Sequence, residues 1–226
     1  MARVKRKRSY AAAGRLAQAA RNRDVLLDAA QRLFLSAGYA ATTIASIAAA
    51  AGVSVETIYK GFGGKSGLVR AIRDRGLAGA GPTPAEHRSN RLRLRTKDPR
   101  VLLAHWGTLT MEVAPKVSPI LLLVRAAAAT DAEMAPLLAE MDADRLRRMT
   151  INARHLHAGG HLRAGVTLKD AVDTLWTYSS PELYELLLLR RGWTLAHYGR
   201  FVAAAMVAAL LRPPRRRTAG VKRVAD

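Results

Sequence analysis

TTIASIAAAAGVSVETIYKGFGGKSG, residues 42–67, holds two short apolar-striped segments joined at a glycine. Ile44, Ile47, Ala48 and Ala51 fall on one face of a helix about two turns long, started by Thr42 or Thr43 and stopped at Gly52. Gly52 permits a tight turn, Val53 can plug the corner, and Ser54 is a good N-cap for the next helix. Two short helices joined in this way form a helix-turn-helix. Ile58 and Phe62, one turn apart, face inward, which leaves Val55, Glu56, Tyr59 and Lys60 outside and free to meet DNA.

The same stretch ends in Gly64, Lys65 and Ser66, the last three residues of the nucleotide-cradling pattern G-x-x-x-x-G-K-[ST]. That pattern needs a glycine five residues earlier and a preceding strand. Here Tyr59 occupies the position, and the preceding segment reads as a capped helix. A helix start with free amides, a positive dipole end and Lys65 still suits a phosphate, and DNA supplies one.

Working outward, Leu26, Ala29, Ala30, Leu33, Phe34 and Ala37 make a first amphipathic helix from Asn22, with Gly38 as a left-handed cap. A fourth helix is expected over roughly Lys65–Leu77, with Leu68, Val69 and Ile72 inside. Residues 1–21 carry RVKRKR and lack an apolar face, so they read as a basic disordered arm. Such an arm either reaches along a minor groove or only solubilises the chain. Residues 22–79 form the DNA-binding domain, and GAGPTPAEHRSN places a linker over 80–97.

Charge supports this division. The net charge is +20 at pH 7, and residues 1–100 hold 20 Lys and Arg against 6 Asp and Glu. Residues 101–211 are nearly neutral, with 11 against 10, and the tail 212–226 holds 6 against 1. One end seeks a polyanion while the body does something else. An arginine-rich composition throughout is the plainer account of the charge taken alone.

Residues 98–211 read as a second, wholly helical region. Asp98 caps a helix with Pro99 at its first position, SPILLLVRAAAATD follows as a separate segment, and the next long helix ends at Gly159 and Gly160. Thr167 and Ser180 are further caps, with Pro181 at another first position, and a last helix runs through WTLAHYGRFVAAAMVAALL. ELLLLRRG is apolar round most of its circumference, so it is either an interior helix or part of a four-helix dimer interface with the last helix. The favoured interface takes Leu183, Leu186, Leu187, Val202, Ala205, Met206 and Ala209. The residues after Leu211 read as a basic disordered tail.

Without cysteine the chain forms no disulfide and offers no thiolate metal site. No signal-peptide core or uncharged membrane-length run is present, so a cytoplasmic protein with no membrane partner is expected. His155, His157 and His161 are close in sequence, but their spacing and the intervening glycines suit polar surface better than a metal site. No Ser, His and acid set stands out for catalysis, and no cofactor is expected.

Residues 22–77 resemble the DNA-binding domain of the tetracycline-repressor (TetR) family, through LDAAQRLFLSAGYAATTIASIAAAAGVS and TIYKGFGGKSGLVRAI. SPELYELLLLRRGWTLAHYGRF is similar, more weakly, to the family's C-terminal domain. The resemblance implies an all-α protein: a three-helix helix-turn-helix domain followed by a larger helical ligand-binding and dimerisation domain. It implies a homodimer on double-stranded operator DNA, with the helix from Ser54 in the major groove and Ser54 itself among the DNA-binding residues. Val55 and Glu56 then face base edges, Tyr59 meets the backbone or a base, Thr43 and Thr57 offer hydroxyls to phosphates, and Lys60 and Lys65 add cations. Glu56 either accepts from a cytosine amino group or favours the helix N-terminus. Gly61 and Ala45 depart from residues common in the family, which leaves contacts there unassigned.

The resemblance also implies a pocket for a small apolar or amphipathic ligand. Trp106, Met111, Met141, Met149, Trp176 and Tyr178, with Met134, are its candidates, although Met and Trp at helical spacing usually serve as core. The expected function is a ligand-released, sequence-specific repressor. A nonspecific architectural DNA binder is the first alternative, and a nucleotide-dependent enzyme, supported by GKS alone, the second.

Overall fold

A computed structural model describes the backbone of residues 2–213, with side chains from Ala17 onward. The helices are α1 (Ala2–Ala41), α2 (Ile44–Ala51), α3 (Val55–Phe62), α4 (Lys65–Leu77), α5 (Ala85–Arg95), α6 (Pro99–Ala127), α7 (Met134–Ala158), α8 (Leu168–Tyr178), α9 (Pro181–Tyr184) and α10 (Leu195–Leu210). A π-helical segment, Glu185–Arg190, continues α9. Among the described residues no strand forms beyond one antiparallel bridge, Leu162 to Leu211, so the all-α expectation holds.

Two cores organise the molecule. The first joins Leu27, Phe34, Ile47, Ile58, Leu68 and Ile72 of the helix-turn-helix region to Ile120, Val124, Met134, Leu137 and Met141 of α6 and α7. The second gathers Leu102, Leu103, Trp106, Leu156, Leu175, Tyr198, Val202 and Met206. Helix α6 runs through both and is packed by α1, α4, α5, α7, α9 and α10. Its length and apolar composition would also suffice to cross a membrane. Its neighbours account for that composition as the central helix of a bundle.

Several boundaries differ from the sequence reading. The expected disordered arm is helical from Ala2, continuous with α1 until Gly38, where φ turns to 83°. The expected linker contains α5, fixed by Trp106 Nε1 donating to Ser89 Oγ at 3.0 Å. The two segments read on either side of residue 117 form one helix, α6, which passes through Pro115 and Pro119. The expected disordered tail lies mostly outside the described residues; its start is tied down where Arg100 Nη2 donates to the Arg212 carbonyl at 2.6 Å.

Candidate nucleic-acid interface

The helix-turn-helix is built by local capping. Thr43 Oγ1 accepts from the Ser46 amide at 3.0 Å, and Ser46 Oγ accepts from the Thr43 amide at 3.2 Å, a reciprocal capping box. Of the two threonines it is Thr43 that caps. Thr42 is buried and donates to the carbonyls of Leu33 and Gly38 at 3.1 and 2.7 Å. Gly52 closes α2 at φ 66°, and Val53 returns its amide to the Ala48 carbonyl at 3.0 Å. Ser54 Oγ then accepts from the Thr57 amide at 3.1 Å and lies 2.8 Å from Thr57 Oγ1.

Ile58 is fully buried and anchors α3, so the opposite face points away from the core. Val55 is 40% and Tyr59 53% exposed, beside an exposed Glu56–Lys60 pair at 2.7 Å. A surface pair of this kind contributes about 0–1 kcal/mol. Lys60 can therefore leave Glu56 for a stronger anion at little cost. This places Ser54, Val55, Glu56, Thr57, Tyr59 and Lys60 on one accessible helix, with Thr43 exposed at the start of α2.

The corner after α3 explains the glycines of the GKS stretch. Gly63 ends α3 at φ 75°, and Gly64, at φ 139°, precedes α4 without a side-chain cap. A Cβ at Gly67 would lie 1.7 Å from the Phe62 carbonyl oxygen, so Gly67 lets α4 cross the end of α3 in direct contact. The element before GKS is a helix, which denies the nucleotide pattern the strand it requires. Lys65 is less free than expected for a phosphate ligand. Its Nζ donates to the Tyr39 carbonyl at 2.8 Å and sits 4.2 Å from the Tyr39 ring centroid. It thus complements the C-terminal end of α1. Burial, then the charges of Asp131 and Glu133, push the Tyr39 hydroxyl up to about 12.

The expected ligand-pocket residues are not gathered at one place. Met141 and Met134 belong to the first core, whereas Trp106, Met149 and Tyr178 belong to or pack on the second. Met111 lies under Gly199 of α10, and Trp176 lies beneath the Arg145 guanidinium at 3.3 Å. A cleft of about 650 Å³ lies instead beside the outward helix, lined by Arg23, Leu27, Tyr59, Phe62, Arg70 and Arg75 among others. Arg23, stacked 4.4 Å from the Phe62 ring centroid, and the cap at Ser46 went unrecognised in the sequence. The T-x-x-S spacing could have revealed the second, and nothing local signals the first.

The expected dimer face is also corrected. Val202 and Met206 are buried within the chain. Leu183, Leu187 and Ala209 pack against the same second core, and Ala205 is half-buried. Leu186 is 51% and Leu189 59% exposed. On α10, Arg200, Ala204 and Ala208 face outward.

Two histidines are perturbed. Burial, then the Arg88 charge, lowers His105, whose Nε2 is buried with no hydrogen-bond partner among the described residues. Burial, then Arg93, lowers His155. Among the described residues no His, Cys, Asp and Glu group is arranged to hold a metal.

Comparison with known proteins bears on this site. Residues 26–72 match the family model for bacterial regulatory proteins of the tetR family. The HTH-type transcriptional repressor ComR of Escherichia coli is 44% identical over 54 residues, covering 24% of this chain and 26% of ComR. The chain thus matches about a quarter of that curated relative's length. Among solved structures, the complex of SmeT, repressor of a Stenotrophomonas maltophilia multidrug efflux pump, with triclosan is 22% identical with a TM-score of 0.66, covering 85% of this chain and 93% of that one. NalD, the secondary repressor of the MexAB-OprM pump in Pseudomonas aeruginosa, is 21% identical with a TM-score of 0.64, covering 86% and 98%.

Proposed function

We propose, from the match of residues 26–72 to the family model for bacterial regulatory proteins of the tetR family, that the chain is a regulator of that family: a dimeric, sequence-specific DNA-binding repressor released by a small molecule. The observation that carries this reading is α3: a capped helix anchored by buried Ile58, with Val55, Glu56, Tyr59 and Lys60 turned outward. In the major groove, Val55 offers an apolar contact for a thymine methyl, Glu56 accepts from a cytosine amino group, and Tyr59 reaches a base or a phosphate. Thr43, Thr57, Lys60 and the start of α4 fix register on phosphates. Lys65 has donors left for one after its bond to Tyr39.

Dimerisation sets two copies of α3 on successive major grooves. The interface consistent with this burial pattern pairs the outward sides of the π-helical segment and α10, through Leu186, Leu189, Ala204 and Ala208. A small apolar or amphipathic effector binds the C-terminal region and favours a state whose α3 spacing no longer fits; SmeT, of similar fold, is found in complex with the small molecule triclosan. Competition binding of upstream DNA against scrambled duplex, at several salt concentrations, tests the reading. Preference for the upstream DNA at every salt supports it, and equal affinity for both supports a nonspecific architectural binder instead.

A further inference from the structure

We infer that Arg70 and Arg73 of α4, held by Glu140 and Asp144 of α7, are positioning residues that set the angle of the recognition helix. The proposal rests on the DNA-binding reading above and concerns what aims α3.

Arg70 grips Glu140 with both ends of its fork, Nε at 3.0 Å and Nη2 at 2.7 Å. One turn on, Arg73 Nη2 donates to Asp144 at 2.6 Å, and the Arg73 side chain is only 9% exposed. Planar two-point carboxylate binding fixes orientation as well as distance. Arg73 Nη1 is buried without a hydrogen-bond partner among the described residues. The buried guanidinium therefore depends on Asp144 and on Asp74, 3.2 Å from its Nε. Both pairs join residues about seventy positions apart.

What α7 holds, α3 follows. Gly67 of α4 is packed against the last carbonyl of α3, and Lys65 fastens the same turn to α1. A rotation of α4 therefore carries α3 with it. The other side of α7 is tied to the C-terminal core at the adjacent residue. Arg145 lies over Trp176 at 3.3 Å and donates from Nη1 to the Trp176 carbonyl at 2.8 Å and to Ser179 Oγ at 3.3 Å. Consecutive residues, Asp144 and Arg145, thus face α4 and α8. The α8 contacts thereby anchor α7, and with it the carboxylates that hold α4.

The test uses the full-length protein and a duplex recovered by selection from random DNA with the wild type. Arg73→Met keeps the buried stem while removing the charge, and Asp144 retains Arg147 as its partner. Arg70→Glu and Glu140→Arg are made singly and together. Affinity is measured by anisotropy on the selected duplex, on variants with one base pair added or removed between half-sites, and on scrambled DNA.

The proposal expects Arg73→Met to weaken the selected duplex by about tenfold. It expects scrambled-DNA affinity to stay within about twofold and the discrimination between spacings to shrink, with helical content unchanged by circular dichroism. The doubly swapped 70/140 variant regains what each single variant loses. Should Arg73→Met and the single variants keep full spacing discrimination, or lose selected and scrambled DNA equally, the inference is wrong. Failure of the wild type to select any sequence would instead overturn the DNA-binding reading itself.

Discussion

Gly67→Ala puts the geometry of the α3–α4 corner to a strict test. The new methyl would sit 1.7 Å from the Phe62 carbonyl oxygen, against the 3.0 Å below which Cβ contacts are essentially never seen, so backbone must move by at least 1.3 Å. The obstacle is backbone carbonyl, and no side-chain rotation relieves it. Overpacking of this kind costs about 3 kcal/mol. For a chain of this size that corresponds to a melting temperature lower by about 6–12 °C. Gly61→Ala is the matched control: nothing lies within 4 Å of its Cβ and its φ is not in the left-handed region. Replacing a helical glycine there should raise stability by about 0.5–1 kcal/mol. Thermal melts of the two variants and the wild type decide the matter. A Gly67→Ala protein that melts with the wild type would refute the account of this corner, as would a Gly61→Ala protein that loses as much.

Tyr59→Ala should weaken a selected duplex by about tenfold, whereas Lys60→Ala should weaken all sequences alike and reduce the salt slope by about 1; anisotropy across a salt series separates the two. With His105 held below its usual range by burial and Arg88, the unfolded chain binds more protons just below pH ~6.5, so stability should fall as pH drops through that value. His105→Gln should flatten that dependence in urea melts, leaving the share due to His155. Leu189→Glu should give monomers in light scattering with little loss of fold, while Met206→Ala, being buried, should cost about 2–5 kcal/mol. The reverse assignment of these two residues would place the dimer face on the other side of α10.

Much of the fold was legible because its boundaries are set by neighbouring residues. Ser54, Asp98, Thr167 and Ser180 all accept from amides in the first turn of the helices they were expected to start, and α4 spans the expected Lys65–Leu77. The face of α3 was legible too, since Ile58 alone settles which side is inward. What escaped depends on distant contacts. Pro115 and Pro119 argue locally for a break, yet six neighbouring helices hold α6 through them. On α10 the alanines leave two sides nearly equivalent in pattern. The choice is made by close approach to α6, where a Cβ at Gly107 would lie 2.7 Å from both the Ala203 Cβ and the Gly199 carbonyl oxygen. That contact turns Val202 and Met206 inward. The α4–α7 ion pairs leave no mark in either segment, because an arginine on a helix surface has many possible partners.

The central claim is that α3 reads base sequence as one half of a two-fold pair. Selection from random duplexes, run in parallel with the wild type and with Val55→Gln, tests it most directly. The wild type should recover a motif with two-fold symmetry, and the variant should alter the preferred base at one symmetry-related position in each half. An identical motif from both proteins would show that Val55 on α3 does not read the sequence, and no motif from either would contradict sequence-specific recognition altogether.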